Sequence, residues 1–426
     1  MQNQNEPPVE ANPDQDDQTV EIDLSSITIL DLTSFQLPDL DLVELPPNLI
    51  DLDLTTNRLS NLDSRIANLI NLRKLSFRQN LFNDAAIEPI SSWESLTGLE
   101  ELILRDNKLT KIPDVGIFKK LLVFDVSFNE ITSLQGLSKA SSTIKELYVS
   151  KNEVTKMEEI DHLHELQILE LGSNRLRVME NLQNFTKLQE LWLGRNRIKV
   201  INLCGLSCIK KISLQSNRLT SMIGLEECNA LEEIYLSHNG IAKMEGLSKL
   251  VNLRVLDVSS NKLTSVDDIQ NLTRLEDLWL NDNRIESLED IAEGVSGSRE
   301  KLTTIYLENN PCVRILTIPN VLLWSMSLVH AVLWHPSKAV FYLPGLSSVK
   351  SISSSSPWHI AFILAIELFA QLAQSPNYNA TLKQIFPNIQ QIDSEYANGN
   401  ISSPLLSGAC EFAYVARGKQ GFGSDP

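Results

Sequence analysis

Aromatic and acidic side chains recur at one place in this sequence of 426 residues, four positions before a regularly spaced asparagine. Rings and carboxylates in such a series can supply desolvated contact and negative charge to a protein ligand. We find no nucleophile–base motif and no phosphate-cradling glycine loop, so we expect recognition rather than catalysis, with no cofactor and no metal. We name this series the outer column: Asp53, Ser76, Ile103, Asp125, Tyr148, Glu170, Trp192, Ser213, Tyr235, Asp257, Trp279 and Tyr306.

The asparagines behind the outer column belong to a repeated strand motif. Six copies follow one another at intervals of 21 or 22 residues: LELGSN, LWLGRN, ISLQSN, IYLSHN, LDVSSN and LWLNDN. Further copies end at Asn57, Asn80, Asn107, Asn129, Asn152 and Asn310. This period is typical of a leucine-rich repeat, in which each turn contributes one short strand to a solenoid. We predict an α/β solenoid over residues 24–312, with about 12 repeats of roughly 22 residues, a parallel concave β-sheet and short helical or 3₁₀ segments on the convex side.

Side-chain alternation along each strand decides which residues can contact a partner. Successive side chains point to opposite sides, so in LWLGRN Leu191 and Leu193 point inward and Trp192 points outward. Each asparagine follows its strand and can bond backbone groups that the sheet leaves unpaired, so we interpret the asparagines as structural. A second outward series, two residues before the outer column, is rich in carboxylates: Asp51, Glu101, Glu146, Glu190, Glu233 and Asp277. Exposed rings beside carboxylates are typical of a protein-binding surface that selects a basic patch.

Composition limits the partners and the compartment. The formal net charge is -17 and the pI about 4.9, so we expect no nucleic-acid partner, because phosphate binding needs clustered positive charge. The amino terminus lacks the basic and apolar regions of a signal peptide, and we expect the chain in the nucleus and cytoplasm. The five cysteines show neither a disulfide framework nor the paired spacing of a zinc site.

Four segments flank or extend the predicted solenoid. Residues 1–23 and 397–426 have the composition of disordered tails, the first of them acidic, and residues 372–396 resemble a cap for the last repeat. Residues 313–371 are apolar and serine-rich and carry no repeat period, and we interpret them as a translated intron. A membrane anchor is the alternative, since Ile315–Trp334 is long enough to span a bilayer, although Pro319 and His330 interrupt it.

Several runs of the chain are similar to one known family. LELGSNRLRVMENLQNFTKLQELWLGRNRI, IYLSHNGIAKMEGL and DLWLNDNRIESLEDI resemble the leucine-rich-repeat regulatory subunit of protein phosphatase-1. The resemblance covers about residues 30–311 and resumes at 375–393. It implies a non-enzymatic subunit that docks the phosphatase catalytic subunit on its concave face, and we expect a monomer before that binding. The contact positions implied by the resemblance are Asp125, Tyr148, Glu170, Trp192, Asp257, Asp277, Trp279 and Tyr306.

Two other classes of function remain open for a chain with this pattern. An intracellular repeat scaffold for a different protein partner would use the same outward side chains. A membrane-tethered repeat protein would use the apolar residues 315–334 as its anchor. The first would bind a protein other than phosphatase-1, and the second would require detergent for extraction.

Overall fold

A computed structural model of the chain describes residues 24–315, 376–393 and 395–396. The predicted tails 1–23 and 397–426 and residues 316–371 of the apolar segment lie outside the described residues. The described strands form one sheet of 15 strands in sequence order. They are β1 (Ile29–Asp31), β2 (Asp51–Asp53), β3 (Lys74–Ser76), β4 (Glu101–Ile103), β5 (Val123–Asp125), β6 (Glu146–Tyr148), β7 (Ile168–Glu170), β8 (Glu190–Trp192), β9 (Lys211–Ser213), β10 (Glu233–Tyr235), β11 (Val255–Asp257), β12 (Asp277–Trp279), β13 (Thr304–Tyr306), β14 (Gln391–Ile392) and β15 (Glu395–Tyr396).

The register of the sheet places equivalent repeat positions side by side. Each strand from β1 to β13 pairs in parallel with the next, and Leu191 on β8 faces Leu169 on β7 and Ile212 on β9. The middle residue of each of these strands points inward, and Leu169, Leu191 and Leu278 are fully buried. Consecutive turns therefore share one continuous core, as a solenoid requires. The predicted fold class is confirmed.

Helical structure on the convex side is sparser than predicted. It comprises α1 (Asp84–Ile87), α2 (Leu288–Gly294) and 3₁₀ segments at Leu24–Ser26, Ser64–Asn68, Glu88–Ser92 and Leu137–Lys139. Between β6 and β12 the described return segments contain neither helix type. They run through single turns, one of which is closed by Leu188 N donating to Phe185 O at 3.2 Å. A 22-residue repeat with a strand and its asparagine turn leaves too few residues for a regular helix.

The asparagines bond backbone groups, as predicted, and these bonds connect neighbouring turns. Asn174 Oδ1 accepts from Val154 N at 2.9 Å, and its Nδ2 donates to Val149 O at 2.9 Å and Leu171 O at 3.1 Å. The same three bonds recur around Asn217, with Ile198 as the donor. The residue before each asparagine is left-handed, for example Ser173 with φ 54°. This local conformation brings the side-chain amide into the interior, where it bonds backbone groups that the strands leave unpaired.

The carboxyl-terminal end of the solenoid is covered by residues distant in sequence. After β13 the chain forms α3 (Pro311–Ile315), and the described residues resume at α4 (Pro376–Ile385). Strand β14 then pairs in parallel with β13, and Leu382 and Phe386 join the solenoid core. Asp393 Oδ1 accepts from Leu307 N at 2.6 Å and Glu308 N at 2.9 Å, so it satisfies amides that the last turn leaves open.

Candidate protein-binding surface

The structure places all eight contact positions implied by the resemblance on one face of the sheet. They lie on strands β5 to β8 and β11 to β13, and the alternating residues of the same strands enter the core. In this repeat architecture the strand face is the concave side. The register aligns the outer column across the strands, with Glu170 beside both Tyr148 and Trp192. The eight residues are Asp125, Tyr148, Glu170, Trp192, Asp257, Asp277, Trp279 and Tyr306.

Four rings of the outer column form a continuous aromatic row. Trp192 and Tyr235 stack with centroids 6.3 Å apart and planes at 22°. Tyr235 and Trp279 contact at 6.3 Å, and Trp279 stacks on Tyr306 at 5.7 Å. The first two contacts bridge an intervening strand, because Ser213 on β9 and Asp257 on β11 are small enough to let the rings meet above them. The aromatic row, Trp192, Tyr235, Trp279 and Tyr306, extends from β8 to β13.

Tyr235 is the functional candidate that the resemblance did not supply. It belongs to the outer column by its spacing, yet it is absent from the eight implied contacts. The structure puts it at the centre of the aromatic row, between Trp192 and Trp279. Its Oη donates to Glu233 Oε2 at 2.9 Å, and burial together with the Glu233 charge raises the pKa of the phenol above its ordinary value. The repeat period alone was the signal that could have included it.

Carboxylates of the second outward series orient the rings. Tyr148 Oη donates to Glu146 Oε2 at 2.6 Å, and Trp192 Nε1 donates to Glu190 Oε2 at 3.2 Å. In each pair the carboxylate lies two residues before the ring on the same strand, so both side chains point outward together. A hydrogen bond of this kind holds the ring in one orientation.

Trp279 departs from this arrangement. Its Nε1 is buried and has no hydrogen-bond partner among the described residues. The residue two positions earlier is Asp277, which is one methylene shorter than Glu190. Glu170 has an unpaired acceptor instead, because no described residue donates a hydrogen bond to its buried Oε1. An unpaired buried donor or acceptor costs about 1–3 kcal/mol, so both atoms gain if a partner supplies the missing bond.

Asp125 and Asp257 correct the expectation that outward residues are exposed. Their side chains lie on the outer face, but the residues are only 7% and 5% exposed. Asp257 accepts from Ser259 N at 3.0 Å and Ser259 Oγ at 2.6 Å, while Asp125 accepts from Ser127 N at 2.8 Å. Burial raises the pKa of both carboxyls above the ordinary aspartate value. Both carboxylates are therefore largely covered, Asp257 beneath the contact between the Tyr235 and Trp279 rings and Asp125 beside Arg105 at 3.9 Å.

The described residues contain neither a cluster of metal ligands nor a membrane-spanning helix. In residues 24–315, 376–393 and 395–396, no group of three or more histidine, cysteine, aspartate or glutamate side chains is arranged to hold a metal ion. Cys228 and Cys312 are buried free thiols, and burial raises the pKa of each to about 11. Within the same residues, none of the helices combines the length and the apolar character needed to cross a membrane. The apolar stretch beyond Ile315 lies outside them.

Comparison with known proteins identifies sequence relatives of this chain. A family model described as Leucine Rich repeats (2 copies) matches residues 229–270 and 251–293. An Arabidopsis thaliana protein, named Protein phosphatase 1 regulatory inhibitor subunit PPP1R7 homolog, is 77% identical over 303 residues. The match covers 71% of this chain and 92% of that protein.

Two solved structures share the architecture. An internalin from Listeria monocytogenes superposes with a TM-score of 0.60 at 25% identity, covering 67% of this chain and 82% of its own. A leucine-rich-repeat protein from Leptospira interrogans gives a TM-score of 0.50 at 23% identity, covering 68% of this chain and 92% of its own. The second likeness concerns the fold alone.

Proposed function

The chain belongs to the family of leucine-rich-repeat regulatory inhibitor subunits of protein phosphatase 1, and from this membership we propose that it binds the phosphatase catalytic subunit through the outer face of β5 to β13. The observation that carries the proposal is the aromatic row with its flanking carboxylates. Eight inter-strand steps of about 4.8 Å give a surface roughly 38 Å long, enough for an interface of standard size.

The chemistry of this surface defines the partner's complementary patch. Four adjacent rings provide an apolar centre of the kind that dominates binding energy in protein interfaces. Glu190 lies beside Trp192 in this row and Glu146 lies beside Tyr148 on β6, and both carboxylates favour lysine or arginine on the partner, whereas Glu233 already pairs with Lys211 at 3.1 Å. Glu170 Oε1 needs a donor, and Trp279 Nε1 needs an acceptor, and both atoms lie on the same face. A partner that offers these groups relieves two unsatisfied atoms on binding.

Other properties follow from the same proposal. The chain acts as a non-enzymatic subunit, is monomeric before it binds, uses no cofactor and contacts no nucleic acid. We propose that it works in the nucleus and cytoplasm. The expectation that the resemblance to the phosphatase-1 subunit reflects family membership is confirmed by the 77% identity to the Arabidopsis relative.

Binding can be tested with purified components. The full chain is titrated against the purified phosphatase-1 catalytic subunit by calorimetry, and the mixture is then separated by size-exclusion chromatography. We expect a one-to-one complex whose affinity falls with added salt, because carboxylates contribute to it. If the catalytic subunit stays unbound while the same chain retains a different purified protein, the alternative of a repeat scaffold for another intracellular partner is favoured.

A further inference from the structure

A row of positive charge follows one edge of the sheet, where the chain turns immediately after each repeat asparagine. In six consecutive turns, from the one after β7 to the one after β12, the first residue past the asparagine is a cation in all but one case. The exception is Gly240, and every cation is exposed. We name this row the basic edge: Arg175, Arg197, Arg218, Lys262 and Arg284.

The backbone stacks these positions directly on one another. Arg197 N donates to Leu176 O at 2.8 Å, and Arg218 N donates to Ile198 O at 2.9 Å. In each bond the acceptor directly follows the cation of the preceding turn: Leu176 follows Arg175, and Ile198 follows Arg197. Charges in adjacent turns are therefore separated at the backbone by about one strand spacing, roughly 4.8 Å, and Arg218 and Lys262, on either side of Gly240, by two. Like charges so placed repel one another.

At the opposite edge of the sheet, where the chain enters each strand, the cations form ion pairs. There, lysines and arginines pair with acids of the adjacent turn: Lys187 with Glu165 at 2.6 Å, Lys210 with Glu232 at 3.8 Å and Arg254 with Glu276 at 2.7 Å.

On the basic edge, only Arg175 has such a partner among the described residues. Its Nη2 lies 2.5 Å from Glu153, which holds the equivalent position one turn earlier. Within the part of the chain that the structure describes, Arg197, Arg218 and Arg284 form no ion pair, and neither does Lys262. In a chain of net charge -17, an uncompensated row of like charge opposes folding and is better explained by an acidic ligand.

We propose that the basic edge binds the acidic amino-terminal segment, residues 1–23, of the same chain. This segment carries seven aspartates and glutamates and no lysine, arginine or histidine. The described residues begin at Leu24, and from β1 to β8 there are seven inter-strand steps of about 4.8 Å, roughly 34 Å. Counted back from Leu24, fourteen extended residues reach Glu10 and eighteen reach Glu6, spans of up to about 46 Å and about 59 Å. Both carboxylates therefore reach the Arg197 end of the basic edge, and Glu6 also reaches Lys262, which follows β11 at about 48 Å from β1.

Covalent attachment makes this contact effective even when each charge pair is weak. A tethered segment meets its site at an effective concentration in the millimolar range for short flexible linkers. The bound segment neutralises the repulsion along the basic edge and keeps other polyanions from it. Added salt weakens the contact, because interactions between exposed charges are screened over a length that falls from about 10 Å at 0.1 M to about 3 Å at 1 M ionic strength.

Zero-length coupling of carboxylates to lysine amines tests the contact in the full chain. A carbodiimide is added at low ionic strength, the monomer band is isolated, and coupled peptides are identified by mass spectrometry. We expect residues 1–23 to couple to Lys262 and to Lys199, which lies two residues after Arg197. Lys108 is the matched control lysine, because it also directly follows a repeat asparagine and lies nearer the amino terminus. Its neighbour in the next turn is Glu130 rather than a cation.

Charge reversal separates specific docking from general attraction. Arg197→Glu combined with Arg218→Glu should lower coupling to Lys199 and Lys262 by roughly tenfold, as should raising the salt to about 0.5 M. Lys187→Glu combined with Lys210→Glu reverses two charges on the opposite edge, just before β8 and β9, and should leave the coupling unchanged. Preferential coupling to Lys108, coupling found only in a dimer band, or equal coupling in both double variants would overturn the proposal.

Discussion

Replacing one repeat asparagine with alanine should lower the free energy of unfolding by an amount set by the hydrogen bonds that the asparagine side chain makes. In Asn174→Ala, the Val154 N–H loses its acceptor in the interior. The two carbonyls that Asn174 bonds are less affected, since Val149 O keeps the amide of Asn152 at 3.1 Å and Leu171 O keeps that of Asn196 at 2.9 Å. One orphaned donor and two weakened acceptors suggest a loss of about 2–3 kcal/mol.

Asn217→Ala is the matched comparison for Asn174→Ala. Asn217 makes the same three bonds but is only half-buried, whereas Asn174 is 7% exposed. Water can replace part of what Asn217 supplies, so the loss should be nearer to about 1 kcal/mol.

Urea unfolding at neutral pH measures the decrease in the free energy of unfolding for each variant. If the repeats do not unfold in a two-state manner, native-state hydrogen exchange at the Val154 and Ile198 amides reports the local opening. A loss of only a few tenths of a kcal/mol for Asn174→Ala would refute the reasoning. So would an equal or larger loss for Asn217→Ala.

Three further outcomes are expected. Leu280→Ala removes a fully buried core side chain and should cost about 2–5 kcal/mol in urea unfolding; a loss below about 1 kcal/mol would contradict the shared core. Asp257→Asn should raise the free energy of unfolding at pH 7, because a carboxyl whose folded pKa is raised by burial destabilises the fold once it ionises, and the gain should disappear below about pH 4, where the unfolded carboxyl is also protonated; a loss at pH 7 would contradict this sign. Removing residues 313–371 should raise the melting temperature, since a shorter connection closes β14 onto β13 with less entropy loss; a lower melting temperature would show that these residues stabilise the solenoid.

The sequence was sufficient to predict the solenoid because its signal is repeated. One strand of three residues, such as β8, would not be recognisable alone, but the same inward leucines and following asparagine return in turn after turn. The direction of each outer-column side chain followed from strand alternation without further information. The convex side was less well predicted, because apolar residues at three-residue steps fit both a 3₁₀ segment and the single turns that the structure contains.

The finer properties of the surface depend on contacts between turns. Alternation fixes the face of the sheet on which Asp257 lies, but its burial is decided by Tyr235 and Trp279, whose rings meet above it. The unpaired Trp279 Nε1 likewise reflects the reach of a neighbour, since Asp277 is shorter than the glutamates that bond Tyr148, Trp192 and Tyr235. Such details require the positions of side chains 22 residues apart, which a single strand motif does not encode.

The affinity of Trp279→Ala for the phosphatase-1 catalytic subunit tests the proposed surface most directly. Trp279 lies within the aromatic row and contacts Tyr235 and Tyr306, and central tryptophans are frequent hot spots of protein interfaces. We expect binding to weaken by roughly 2 kcal/mol or more, about thirtyfold. Asp277→Ala should cause a smaller loss, unless its charge is fully desolvated in the complex.

The control is Val200→Ala, which trims an apolar side chain that is 69% exposed and lies outside the strands. It should bind as the unaltered chain does, and melting curves recorded beside each titration should show that Trp279→Ala remains folded. A folded Trp279→Ala chain with full affinity for the catalytic subunit would contradict the assignment of the outer face of β5 to β13 as the binding surface.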